Sequence, residues 1–426
     1  MANTPPDSPP DPRAGLRACL LDLQRGPWKF ILLRNGPLGE EAIDGDDIDL
    51  LGARASVEAL LDAALGWVRA GRCHVRVRAT QDAKVALGLL STDGGHQVEL
   101  DLWIELRQLD NRRRMLTYET CAAAATNPED AIQRLPVDLE ASIFLHHLVA
   151  RRKRVDDPKQ QARLAAYVSA CRGAGHAGLA EALAAVATAN RVDAAAQALT
   201  LRLLEQRFPL GQPSVLRRAL AGLRAAWLAP RASRRVLTLM GCDGCGKTSL
   251  GRLLAARRKD AHSFYTGKHL YRKSVLYKLL VIFVRPLLFQ GREKFDDTFA
   301  PLAYLLACVR LRLKCLRPRR GVVLIDRSLL DFLYLARKTD TPRFSGCLGL
   351  ARVFGIRVPH IHLLVPFERL RERKQEMTQA GHAAYDAAMF RHFTRRCPTD
   401  YLAFDNRGTL EESAAALDRI LDRIRA

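Results

Sequence analysis

The stretch "GCDGCGKTSL", residues 241–250, decides the reading of this chain. It holds three glycines, one lysine and two hydroxyls, and it follows the apolar run Val236–Met240. The spacing is G-x-x-x-x-G-K-T, from Gly241 through Gly246, Lys247 and Thr248, which is the spacing of a phosphate-binding loop. Glycines let the backbone curl so that successive N–H groups cradle phosphate oxygens. The next residues read as a helix, whose N-terminal dipole adds positive potential at the same point. The backbone of Gly241, Cys242, Asp243, Gly244, Cys245 and Gly246, with Lys247, Thr248 and Ser249, is therefore expected to hold the phosphates of ATP. Lys247 supplies a point charge to the β- and γ-phosphates, and Thr248 a ligand for Mg²⁺. The Cys242-x-x-Cys245 spacing also fits a redox pair, but that motif belongs to another fold context. The two cysteines are expected to fill variable loop positions.

Apolar runs recur at 236–240, 322–325, 360–365 and 401–404, with long helical patterns between them. That alternation predicts an α/β region from 235 to 426, a parallel sheet flanked by helices. Ligands bind such sheets at the carboxyl ends of the strands. After Val322–Ile325 come Asp326 and Arg327. A carboxylate there can hold Mg²⁺ or accept a hydroxyl proton, and an adjacent arginine can fork onto a phosphate. After Val365, Arg369 and Arg373 fall at helical spacing, together with Lys374. A basic helix closing over a triphosphate would neutralise transferred charge and exclude water. Glu368, Glu372 and Glu376 offer the alternative of a solvated, self-paired face. No Asn-Lys-x-Asp element follows the fourth apolar run, which disfavours guanine selectivity.

At 426 residues the chain has room for two or three domains. Residues 1–14 are Pro-rich and polar, the composition of a disordered tail. Residues 15–135 mix short β-rich runs with helices, and 136–232 are almost all helical pattern. Hydrophobic residues make up 48% and charged ones 26%, enough for ordinary cores. The net charge of +22 fits nucleic acid, a membrane surface or a polyphosphorylated substrate. It equally fits an Arg- and Ala-rich coding bias, because the charge is spread rather than blocked. A small-molecule acceptor is the expected partner, and nucleic acid is not. Ten cysteines without a paired framework, and no signal peptide, point to a reducing cytoplasm. Residues 275–317 are apolar, then basic, and are interrupted by Lys278, Arg285 and Pro286. They read as a pair of buried helices, with peripheral membrane contact as the alternative.

In its phosphate loop, its "DRS" at 326–328, its Arg-rich segment 369–374 and "FDNRGTLEES" at 404–413, the region 235–426 resembles the thymidylate kinase family of P-loop kinases. The resemblance implies an ATP-dependent kinase using Mg²⁺ held by Thr248 and Asp326. It implies catalytic roles for Lys247, Asp326, Arg327, Arg369 and Arg373, a sugar contact from Asp243, and an adenine border at Asn406 and Arg407. The acceptor segment departs from the family, reading "FYTGKHLYRKSVLYKLL". A phosphate acceptor needs no general base, whereas a hydroxyl acceptor benefits from Asp326 as one. Both remain open at this point.

In the first region, Asp47-x-Asp49 precedes Leu50-Leu51, and Asp101 lies in the apolar pattern "HQVELDLW". Alternation puts Asp47 and Asp49 on one strand face. Asp101 on a neighbouring strand would complete a divalent-metal cluster for nucleotidyl transfer. The bland alternative is an acidic surface loop. Residues 15–135 resemble the nucleotidyltransferase superfamily, implying an α+β domain, although the expected Gly-Ser is replaced by Gly39-Glu40 or Gly45-Asp46. Proteins joining two such domains resemble ones found in bacterial surface-polysaccharide biosynthesis. Two further functions stay in view: an ATP-binding regulatory or scaffold module, and an active nucleotidyltransferase. His146 and His147 point about 100° apart on a helix, so one should face the core and the other flank it.

Overall fold

The computed structural model describes residues 11–34, 38–79, 83–109, 114–150, 153–211, 236–258, 261–265, 322–326, 359–373, 377–396 and 400–425, with 278, 279, 282, 283 and 286. The chain opens with α1 (Ala14–Arg25), β1 (Phe30–Leu32), β2 (Ile48–Gly52), α2 (Arg54–Arg69), β3 (His74–Ala79), β4 (Lys84–Leu90) and β5 (Gln97–Trp103). The hairpin β6 (Glu105–Leu109) and β7 (Arg114–Thr117), α3 (Tyr118–Ala122) and β8 (Ile132–Arg134) follow. Four helices come next: α4 (Val137–Ala150), α5 (Pro158–Gly173), α6 (Ala177–Ala189) and α7 (Ala194–Arg207). The last region is β9 (Val236–Met240), α8 (Lys247–Arg257), β10 (Ala261–Tyr265), β11 (Val322–Asp326), β12 (His360–Leu364), α9 (Phe367–Arg373), α10 (Gln379–Arg391), β13 (Tyr401–Asp405) and α11 (Leu410–Arg425).

All four apolar runs of this last region are strands. They pair in parallel with one another and with β10, in the order β10-β11-β9-β12-β13. β10 is not among those runs, because "AHSFY" carries no long apolar stretch. The chain leaves β9 toward β10 and β11 on one side and reaches β12 and β13 on the other. β9 is thus where the strand order reverses, and a crevice opens beyond its carboxyl end. α11 closes this region. Glu411 and Glu412 sit in its first turn, where the helix dipole favours acids. Its Ala414, Leu417, Ile420 and Leu421 form an apolar stripe on the core beneath β9 and β13.

The first region adds six strands in the order β3-β4-β5-β2-β1-β8, of mixed direction. The two regions form one eleven-stranded sheet, because β13 pairs antiparallel with β3 in the register Leu402↔Arg76. This junction satisfies two edges that would otherwise be open. Arg76 anchors it through Asp400 at 2.9 Å. One apolar core runs across the seam, from Leu60 and Val75 to Met240, Phe390 and Tyr401. α4–α7 enclose a separate core around Phe144, Leu164 and Leu183. His146 is buried there, 3.3 Å from the Thr200 hydroxyl, and His147 is half-buried beside it.

The tail reading falls on residues 1–10, outside the described residues, and on 11–14. The latter are structured: Asp11 accepts the Arg13 N–H at 2.9 Å and α1 starts at Ala14. Most of 275–317 also lies outside the described residues. Leu279, Ile282 and Phe283 are helical and exposed at 45%, 60% and 63%. Among the described residues, no helix is long and apolar enough to cross a membrane.

Candidate functional site

β9 delivers the chain to its carboxyl end, and α8 carries it away from Lys247. Between them Gly241, Gly244 and Gly246 take φ values of 140°, 93° and 93°. Side chains rarely adopt such angles, so these positions need glycine. Gly241 is also closed in space, since a Cβ there would lie 2.8 Å from the Leu363 carbonyl oxygen and from Cys245 Sγ. Gly246 sits at the N-cap of α8 and has no side chain to offer it. The first N–H groups of the helix are those a phosphate would satisfy.

The Lys247 ammonium is buried and donates to the carbonyls of Gly241 at 2.6 Å and Cys242 at 2.8 Å. Thr248 and Ser249 are exposed on the opening. Together with Asp243, Arg373 and Asn406 they surround a cavity of about 410 Å³, within the size range of small-molecule sites. Asn406 sits just beyond β13. Its amide donates to the Cys245 carbonyl at 2.8 Å, and its own N–H donates to the Leu364 carbonyl at 2.8 Å. It thereby ties the loop to two strand ends.

Arg369 and Arg373 of α9 lie four residues apart, on one face of the helix. Arg373 donates to the Gly244 carbonyl at 3.3 Å, at the tip of the loop. Arg369 donates to the carbonyls of Arg407 and Gly408. Arg373 thus lines the cavity, and Arg369 holds Gly408 in its wall, rather than both lying in a self-paired solvent face. Arg407 turns the other way. It bonds Asp405 at 2.9 Å and the Arg69 carbonyl at 2.6 Å, and it lines a second cavity of about 260 Å³. Burial raises the Asp405 pKa above the ordinary aspartate value, against the lowering effect of Arg407.

The two loop cysteines are more than fillers. Cys242 is buried in the core that crosses the seam, with Sγ 3.8 Å from Met377 Sδ. Cys245 is buried in the core under α8 and α11. They anchor a glycine-rich loop on both sides of the sheet. Asp326 ends β11 in register with Leu239, which places its backbone at the crevice. The Asp326 side chain, Arg327 and Lys374 lie outside the described residues.

The carboxylates of the first region meet differently. β2 and β5 are parallel and set Asp49 directly beside Asp101. Both side chains are buried, whereas Asp47 precedes β2 and is exposed. Asp49 pairs with Arg34 and accepts the Trp103 indole N–H at 3.0 Å. Asp101 pairs with Lys84, whose ammonium also lies 5.0 Å from the centre of the Trp103 ring. Burial, then the neighbouring Arg163, lowers the Arg34 pKa. The three aspartates do not converge as a metal-ligand group. The one such group among the described residues is Cys242, His382 and Asp386, which sequence reading missed because its members are distant in the chain.

No protein-family model matches the chain, and no curated protein matches it. Solved structures similar to it include thymidylate kinase from Candida albicans, at 13% identity over 45% of this chain and 92% of that one, with a TM-score of 0.31. Thymidylate kinase from Ehrlichia chaffeensis is 13% identical over 44% of this chain and 97% of that one, with a TM-score of 0.29. Shikimate kinase from Acinetobacter baumannii is 16% identical over 44% and 93%, with a TM-score of 0.27.

Proposed function

We propose that the chain is an ATP-dependent phosphotransferase acting on a small acceptor. The observation that carries this reading is the cavity beyond β9. It combines positive-φ glycines, a buried lysine held by loop carbonyls, and Arg373 on the opposite rim. A triphosphate entering there would replace carbonyl dipoles around Lys247 with full negative charges. The helix N-terminus would face the same group. Thr248 and Asp326 would hold Mg²⁺, which would supply positive charge to the phosphates. Thr248 fits this role because it is exposed on the cavity, one residue into α8. Arg369 and Arg373 would cover the transferred group, and Arg327 would grip the acceptor or the phosphoryl group. Nucleotides, nucleosides and sugars all fit the acceptor class, including those consumed in surface-polysaccharide biosynthesis.

Two measurements test this. Calorimetry should show Mg·ATP binding that Lys247→Ala weakens by roughly ten- to a hundredfold, the worth of hydrogen bonds between charged groups. Unchanged affinity in that variant would remove the assignment. A screen with labelled ATP over nucleoside monophosphates, sugars and lipid-linked saccharides should show transfer above the water background. Binding without any transfer would make the chain a nucleotide-gated scaffold instead.

A further inference from the structure

The side of the phosphate loop that faces away from the nucleotide cavity carries a second constellation. Cys242, His382 and Asp386 bring one sulfur, one ring nitrogen and one carboxylate oxygen within 4.8 Å of one another. The residues are 2%, 8% and 3% exposed. His382 and Asp386 lie four apart on α10 and so share a face, the spacing by which a helix presents two ligands to one metal. The His382 Nε2 is 3.5 Å from one Asp386 oxygen, and His362 Nε2, from β12, is 3.2 Å from the other. His362 is wholly buried, and its Nδ1 is 2.6 Å from the Tyr401 hydroxyl.

A buried aspartate between two histidines alone would read as a structural network. The thiol at the third corner changes the reading. A sulfur, an imidazole and a carboxylate suit a borderline-soft divalent ion and not Mg²⁺ or Ca²⁺, which take oxygen. His382 and Asp386 also line the 260 Å³ cavity, which gives an ion a way in.

We propose that Cys242, His382 and Asp386 bind one Zn²⁺. The Cys242 thiol gives up its proton to solvent as the Zn–S bond forms, and His362 orients the Asp386 carboxylate. Three protein ligands leave a fourth position for water from the cavity. The ion clamps the second residue of the phosphate loop to α10, the helix that follows Arg369 and Arg373. The site is independent of nucleotide chemistry, and its test contains no nucleotide, so its failure leaves the phosphotransferase reading untouched.

The full chain is stripped with a chelator and titrated with Zn²⁺ against a chromophoric competitor, then with Co²⁺ as a spectroscopic substitute. One equivalent should bind, and the Co²⁺ form should show a thiolate charge-transfer band that Cys242→Ser abolishes. His382→Gln should weaken Zn²⁺ binding beyond the roughly 10–100-fold expected for His362→Gln, which removes only an orienting neighbour. Circular dichroism checks that each variant folds, and the Co²⁺ spectrum of the unaltered chain needs no variant. No stoichiometric binding, a Co²⁺ complex without the thiolate band, or a folded His382→Gln with unaltered affinity would overturn the site.

Discussion

At the carboxyl end of β9 the chain places three positive-φ glycines and a lysine held by backbone carbonyls. Where β2 and β5 run side by side it places two buried carboxylates, each covered by a cation. These two places lie on the same sheet and prepare for opposite events. An incoming phosphate can take Lys247 by exchanging one set of oxygens for another. An incoming metal can take Asp49 or Asp101 only by displacing Arg34 or Lys84. Removing one member of a buried ion pair leaves an uncompensated charge, which costs about 3–5 kcal/mol. Side-chain exposure is 12% for Arg34 and 3% for Asp49, so solvent screens this pair little. Arg34→Ala is therefore expected to destabilise the chain by about that amount in denaturant unfolding. A variant as stable as its parent would break the contrast. So would an Asp49-dependent rise in melting temperature with Mn²⁺, because the aspartates would then be a metal centre and nucleotidyl transfer would return as a function.

A titratable group sits in the seam between the two regions. His74 of β3 accepts the Asp405 N–H through Nδ1 at 3.0 Å, so its Nε2 carries the proton and faces the Thr92 carbonyl at 3.0 Å. The ring stacks on Phe404 with centroids 4.2 Å apart. Burial pushes its pKa down from 6.5 to about 4. Between these values the unfolded chain binds the proton more tightly than the folded one. The stabilisation from a neutral His74 is complete above pH 6.5 and is lost as the pH falls toward 4. It amounts to about 3 kcal/mol in all. Urea unfolding across this range should show a steeper loss in the parent than in His74→Gln, where nothing titrates at this position. Parallel pH profiles would mean that the seam does not depend on the neutral ring.

The strand, glycine loop and helix around Gly241–Lys247 are legible because their constraints are local: glycines at fixed spacing, an apolar strand before them and a helix after. The strands β9, β11, β12 and β13 were legible for the same reason. What escaped was non-local. Nothing in "HVRVRA" states that β3 will pair with β13, because edge pairing is chosen by the partner's free edge as much as by the strand itself. Alternation groups Asp47 with Asp49, and residue type adds Asp101. Arg34 and Lys84, which cover two of them, come from other elements and carry no motif. The family resemblance implies one adenine border for Asn406 and Arg407, yet consecutive residues after a strand point to opposite sides, one to the loop and one to α2. The cysteines belong to a motif in which their positions are variable, so only packing could show that each enters a different core.

The smallest expected effect falls on Asn406, where the loop meets the neighbouring strand end. Its side-chain amide is the donor to the Cys245 carbonyl, and the residue is buried to 9% exposure. Asn406→Ala removes that donor and leaves the carbonyl to find water from the cavity, so about 1 kcal/mol of stability should be lost rather than the full desolvation penalty. The loop keeps its glycine conformations and Lys247, so Mg·ATP affinity should fall only a few-fold, less than in Lys247→Ala. Thermal unfolding and calorimetry on one preparation separate the two quantities. If Asn406→Ala lost nucleotide affinity as severely as Lys247→Ala at unchanged stability, Asn406 would be a direct ligand of the nucleotide. The tie to Cys245 would then describe only the resting loop. If stability fell by several kcal/mol with affinity preserved, the link between β12, β13 and the loop would be a structural joint in its own right. The expected outcome lies between these, because one side chain both lines the cavity and holds its wall.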